Sequence, residues 1–130
     1  MTLVQDDSTV TGQAASSAEA RAAISALLAG RALPPGSRAH GDSLLVVSEL
    51  VANVLRHTGG PATLAAYLHG ATLDVTVSEG CTSGPDQDPP DRGQDATARF
   101  GWLVVSRLAS MVAVTRPRPG GKRIRVHMAV

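Results

Sequence analysis

Aromatic side chains are nearly missing from this chain: its 130 residues include one Phe, one Trp and one Tyr. Single-stranded nucleic-acid platforms stack bases on aromatic rings, so this composition argues against that class of function. Cysteine is equally scarce, and Cys81 alone can neither close an internal disulfide nor build a zinc site. No histidine lies near Cys81 in sequence to activate it as a nucleophile. Neither sign of charge dominates: 12 Lys and Arg face 11 Asp and Glu, a net charge of +1. Such a balance gives no strong pull toward nucleic acid or membrane. No run of 18 apolar residues exists to span a bilayer, and the first residues, MTLVQDDSTVTGQ, lack a basic segment followed by an apolar core. A cytoplasmic protein without a membrane partner is the expectation.

What is present is aliphatic. Hydrophobic residues make up 43% of the chain, so the core must be built from Ala, Val and Leu. A chain of this length fits one domain and buries roughly two thirds of its unfolded surface. Residues 1 to 16 are small and polar without a sustained period, and read as a flexible tail with a short strand near Leu3. Ser17 suits an N-cap for a helix over 18–29 that stops at Gly30. The Pro- and Gly-containing segment 32–41 reads as a connector. Residues 63–68 and 72–78, rich in β-branched side chains and separated by His69-Gly70-Ala71, predict a hairpin. From 79 to 96 the run EGCTSGPDQDPPDRGQDA holds three Gly, three Pro and five acidic residues, which excludes a regular element. Loops of this length are usually disordered or functional lids. Thr97 then suits the cap of a third helix over 98–110, with Trp102, Leu103, Val104 and Leu108 available for packing. Strands over 111–115 and 123–130 close the chain around a Pro- and Gly-rich turn. Helices on one face of a mainly antiparallel mixed sheet, an α+β two-layer sandwich, are the natural solution for this order.

The stretch from Asp42 to His57 reads as an amphipathic helix. Val46, Val47, Leu50, Val51, Val54 and Leu55 share one arc, and Asp42, Glu49, Asn53, Arg56 and His57 share the other. Asp42 or Ser43 can cap its start, and Thr58-Gly59-Gly60-Pro61 ends it. A polar arc facing water is the plain reading. Against it stands Asn53, a weak helix former whose mid-helix position suggests a task for the amide. With the strand end at Glu79 and the start of the third helix at the same end of the sheet, a pocket would form. The first N–H groups of that helix, over 97–101, favour phosphate. Asn53 offers one oxygen to a hydrated Mg2+, and Glu49 could accept a proton. Arg56 or Arg99 could balance charge on a phosphoryl group, and Glu79 could accept a hydrogen bond from a purine amine. His40, His57, His69 and His127 show no metal-ligand spacing, so no metal besides Mg2+ is expected. A metal-dependent hydrolase built on Glu49 and His57 would need further ligands.

The run ELVANVLRHTGG, residues 49–60, resembles the N-box of the GHKL ATPase superfamily. VTVSEG at 75–80 is similar to its G1 box, ARFGWLVVSRLA at 98–109 to its G2 box, and GGKRIRVHM at 120–128 to its final hairpin. Within that superfamily the chain looks most like the anti-sigma-factor serine kinases of the RsbW type, over residues 17–130. The resemblance implies a Bergerat-type, histidine-kinase-like ATPase domain with a lid at about 80–97, binding ATP and Mg2+. It makes Glu49 the general base and Asn53 the Mg2+ ligand, and puts Arg56 and His57 near phosphates. Glu79 and Gly80 fall at the adenine, and Thr97, Arg99 and Gly101 at the G2 turn. The partners it implies are a sigma factor and a STAS-type anti-anti-sigma protein, whose Ser or Thr would be phosphorylated; relatives of this kind commonly dimerise. Departures from the pattern are Glu79 for an Asp, Arg99 and Phe100 where a glycine admits phosphate, and few glycines in the G1 box. The alternative is therefore a module of the same fold that sequesters a regulatory protein without phosphotransfer. Asp86, Asp88, Asp91 and Asp95 would oppose a triphosphate if the loop closed, with Arg92 as the main offset. Arg116, Arg118, Lys122, Arg123 and Arg125 make the last hairpin basic, a solvated face or a surface for an acidic protein.

Overall fold

The computed structural model of the chain describes residues 3–30, 36–79, 96–116 and 121–130, with the backbone alone for residues 5 and 96–100. Its elements run β1 (Val4–Gln5), β2 (Thr9–Ala14), α1 (Ser17–Ala29), α2 (Arg38–Thr58), β3 (Ala62–His69), β4 (Thr72–Glu79), α3 (Ala96–Leu108), β5 (Met111–Thr115) and β6 (Arg123–Ala129). The strands form one sheet in the order β1-β2-β3-β4-β6-β5. Every pairing among the described strands is antiparallel, so the expected mixed component is not found there. The class is nonetheless the expected one, an α+β sandwich with its helices on one face of the sheet.

Strand alternation explains the layering. The register Val10↔Ala66, Ala66↔Val75, Val75↔Val126 and Val126↔Val112 lays one apolar row across five strands. Leu64, Leu73, Val77, Ile124 and Met128 continue that inner face, all nearly inaccessible to solvent. The helices cover it with Ile24, Leu27 and Leu28 of α1 and Val46, Val47, Leu50, Val51 and Val54 of α2. Each such side chain, fully buried, contributes about 1.5–3 kcal/mol.

Several boundaries move for physical reasons. Within the expected tail at 1–16, the described residues from 4 to 14 hold two strands: β2 pairs with β3 over six residues, and Val10 and Ala14 are fully buried. Asp6 Oδ1 shapes the β1–β2 turn by accepting from Ser8 N, Thr9 N and Thr9 Oγ1. Helix α1 is capped by Ser16, whose side chain accepts from Glu19 N, so Ser17 lies inside the helix. Helix α2 starts four residues before Asp42, with Ser37 as its cap accepting from His40 N. Its C-terminus is as expected: Gly59 adopts φ 74°, a left-handed conformation that suits glycine, and its N–H donates to Leu55 O. In α3, Thr97 is a helical residue rather than the cap, since the helix begins at Ala96. Of the residues offered for packing, Trp102 and Leu103 are 39% and 49% exposed and Leu108 packs, partly buried, against the core, in which Val105 lies at 1% exposure. Of the expected lid at about 80–97, residues 80–95, with Gly80, Cys81 and four aspartates, lie outside the described residues, as does Arg118.

Candidate functional site

Helix α2 builds the site. Residues 49, 53 and 57 stand on one stripe at spacings of four, with Arg56 beside them. Glu49, Asn53 and His57 are all partly buried, so the stripe does not simply face water, and only Arg56 is exposed. Arg56 and His57 lie in the last turn of α2, where positive charge meets the negative end of the helix dipole favourably.

Helix α3 closes against this stripe at Gly101. A Cβ at Gly101 would fall inside contact distance of Glu49 Oε1 and 3.0 Å from Glu49 Cδ. The Glu49 carboxylate thus occupies the space a side chain would need, and α2 and α3 approach across it. Glu49, Leu50, Asn53, Arg56, Gly101, Trp102 and Val105 line a cavity of about 10 Å³, room for about one water. Asn53 Oδ1 is buried beside it without a hydrogen-bond partner among the described residues. A larger cleft of about 460 Å³ lies at Gln13, Ala15, Glu19, Leu55, Gly59, Gly60 and Pro61. Glu19 there already accepts from Ala15 N at 2.8 Å, and none of the candidate residues lines that cleft.

The strand end supplies the second half. Parity along β4 puts Glu79 on the inner side with Leu73, Val75 and Val77, and its backbone N–H donates to Lys122 O at 3.1 Å. A carboxylate at the end of an apolar row needs a partner, and His57 is that partner, with Nδ1 2.6 Å from Glu79 Oε2. The two side chains are only 11% and 9% exposed. An ionised carboxylate can only accept, so Nδ1 carries the proton. His57 Nε2, at the other side of the ring, is buried without a partner among the described residues.

The structure therefore brings Glu49, Asn53, Arg56 and Gly101 around one cavity and joins His57 to Glu79. Thr97 and Arg99 lie on the backbone of the first turn of α3; Gly80 is outside the described residues. Two contacts escape sequence reading: the seat of Glu49 on Gly101, and the His57–Glu79 pair. Both join residues far apart in sequence, and no local spacing announces them. A third cluster sits on the opposite face of the sheet, where Asp74 accepts from Arg125 Nε at 3.1 Å and Nη2 at 2.7 Å. His127 Nε2 is 3.2 Å from Asp74 Oδ2, without good hydrogen-bond alignment. Arg125, expected on a solvated basic face, is thus tied to a buried acid. No group of three or more His, Cys, Asp or Glu suited to a metal occurs among the described residues. No helix among them is long and apolar enough to cross a membrane. No family model matches the chain, and no curated protein matches it.

Proposed function

We propose that this chain is a cytoplasmic, ATP-binding anti-sigma regulatory protein that phosphorylates a serine or threonine of a STAS-type anti-anti-sigma antagonist, like the GHKL kinases its motifs resemble. The observation that carries the reading is the Glu49–Asn53 stripe facing Gly101, with Glu79 at the neighbouring strand end. Glu49 and Asn53 come from α2, which bears the N-box-like run; they face Gly101 of the G2-like α3, and His57 one turn on meets Glu79 of the G1-like β4. The donor set suits a hydrated Mg2+: among the described residues Asn53 Oδ1 has no partner and no acidic cluster suited to a metal occurs, so the ion would keep waters and phosphate oxygens. Bound Mg-ATP would supply the transferable phosphoryl group. Glu49 would take the proton of the antagonist's hydroxyl as its oxygen bonds to the γ-phosphorus and the γ-phosphoryl group's bond to the leaving ADP breaks, and Arg56, at the cavity wall, would offset the negative charge.

A second reading has its own support. The cavity beside Asn53 holds about one water, whereas ligand sites usually enclose about 300 Å³ or more. A module that sequesters a regulatory protein without phosphotransfer would need no such space. Calorimetric titration with Mg-ATP separates the two. For the kinase, the wild type binds, Asn53→Ala loses binding, and Glu49→Gln keeps binding while transfer to the antagonist falls by about 10²–10⁴. Absence of binding up to roughly millimolar nucleotide leaves the sequestering module.

A further inference from the structure

We infer that His57 competes with the ligand for the Glu79 carboxylate, so that recognition of a base bearing an exocyclic amine requires the His57–Glu79 pair to open; this rests on the nucleotide reading above. Glu79 follows Leu73, Val75 and Val77 on the inner side of β4, each 0% exposed. Nothing apolar can serve a carboxylate there, and a buried charge left alone is strongly disfavoured. His57 meets that demand with a 2.6 Å hydrogen bond between side chains only 11% and 9% exposed. An aspartate in this position would end one methylene short of where the carboxylate now meets the imidazole. The glutamate therefore has a ligand of its own within the chain, and the donor His57 offers is chemically what an amine on a base would offer.

The paired arrangement is satisfied on one side only. Among the described residues His57 Nε2 is buried and unpartnered, and so is Asn53 Oδ1 one turn earlier; buried polar atoms in folded proteins are otherwise nearly all bonded. His57 also sits one residue from the end of α2, between the exposed Arg56 and Thr58. Rotation of the imidazole outward would hydrate both ring nitrogens. An incoming amine would then take the place of Nδ1–H on Glu79 one for one. His57 is thus a specificity-determining residue: while it holds Glu79, the base amine goes unread.

The test compares Mg-ATP with Mg-inosine triphosphate, which carries an oxygen in place of the amine, on the wild type and on His57→Ala. The variant should bind ATP about tenfold more tightly than the wild type and prefer it to inosine triphosphate about tenfold, as expected for a hydrogen bond to a charged group. The wild type should discriminate less, and the double variant His57→Ala, Glu79→Ala should lose both gains. Because His57→Ala leaves a buried carboxylate unpaired, imidazole ¹⁵N shifts of the wild type give an independent reading. Saturating ATP should abolish the signature of an Nδ1–H bonded to carboxylate. ATP affinity unchanged or weakened in His57→Ala, a gain shared by inosine triphosphate, or an imidazole signature untouched by bound ATP overturns the inference while nucleotide binding stands. No binding by either protein overturns both.

Discussion

Gly101 poses the sharpest question at the scale of single residues. A glycine inside a helix costs about 0.5–1 kcal/mol relative to alanine, and α3 carries one where it meets α2. The reason is on the facing helix, since the Glu49 carboxylate fills the space of the missing side chain. Gly101→Ala would therefore displace the far end of a flexible side chain rather than backbone. The helix should gain stability as Glu49 turns away, and the thermal midpoint should stay level or rise by a few degrees. Phosphotransfer, which needs Glu49 in place, should fall about tenfold or more. Thermal unfolding and a transfer assay run together check this; a marked drop in midpoint would mean that Glu49 has nowhere to turn. Spacing along one helix is enough to select Glu49, Asn53 and Arg56 from sequence. The same spacing is blind to Gly101 and to the His57–Glu79 bond, because those contacts depend on how α2 meets α3 and β4.

Among the elements, β2 carries the clearest consequence. Its pairing with β3 covers six residues and places Val10 and Ala14 in the core at 0% exposure. Removing residues 1–14 would delete that burial, strip the ladder from β3 and leave β3 as a new edge. Loss of Val10 alone costs about 1.5–3 kcal/mol, against a whole-domain stability of about 5–15 kcal/mol. The truncated chain should lose its cooperative urea transition or aggregate; a transition unchanged from that of the full chain would show β2 to be dispensable. The strand is faint in sequence because its inner side carries only Val10, Gly12 and Ala14, too little apolar contrast for a period of two. The start of α2 is hidden for a related reason. His40 and Gly41 are weak helix formers, yet His40 is buried and bonds Ser25 Oγ at 3.1 Å, a contact with α1 that holds the first turn. By contrast, the Val and Leu stripe of α2 and the hairpin around Gly70 are strongly patterned, and they stand where the pattern puts them.

Over the whole molecule, the sheet separates a helix-covered face that holds the candidate site from an opposite face with its own electrostatics. Asp74 lies on that second face, beside Tyr67 and His127 in the register, yet it is only 6% exposed. The hydrogen bonds from Arg125, above all, hold its carboxyl below the usual range, against the cost of burial, with the Arg125 and His127 charges assisting. A carboxyl whose folded value is depressed binds fewer protons folded than unfolded. Its contribution to stability is thus fully present above the unfolded value, near pH 4, and is lost as pH falls through the lower folded value. Arg125 is 53% exposed, so water and salt screen part of the gain. Asp74→Asn should therefore lower the urea midpoint at pH 7 and at pH 5, and the gap to the wild type should narrow below about pH 4 as Asp74 itself becomes protonated. Nucleotide titrations at pH 7 should be unaffected, since the two faces share no side chain in this cluster. A gap that stays constant from pH 7 to pH 3 would assign the loss to packing rather than to the Asp74–Arg125 ion pair.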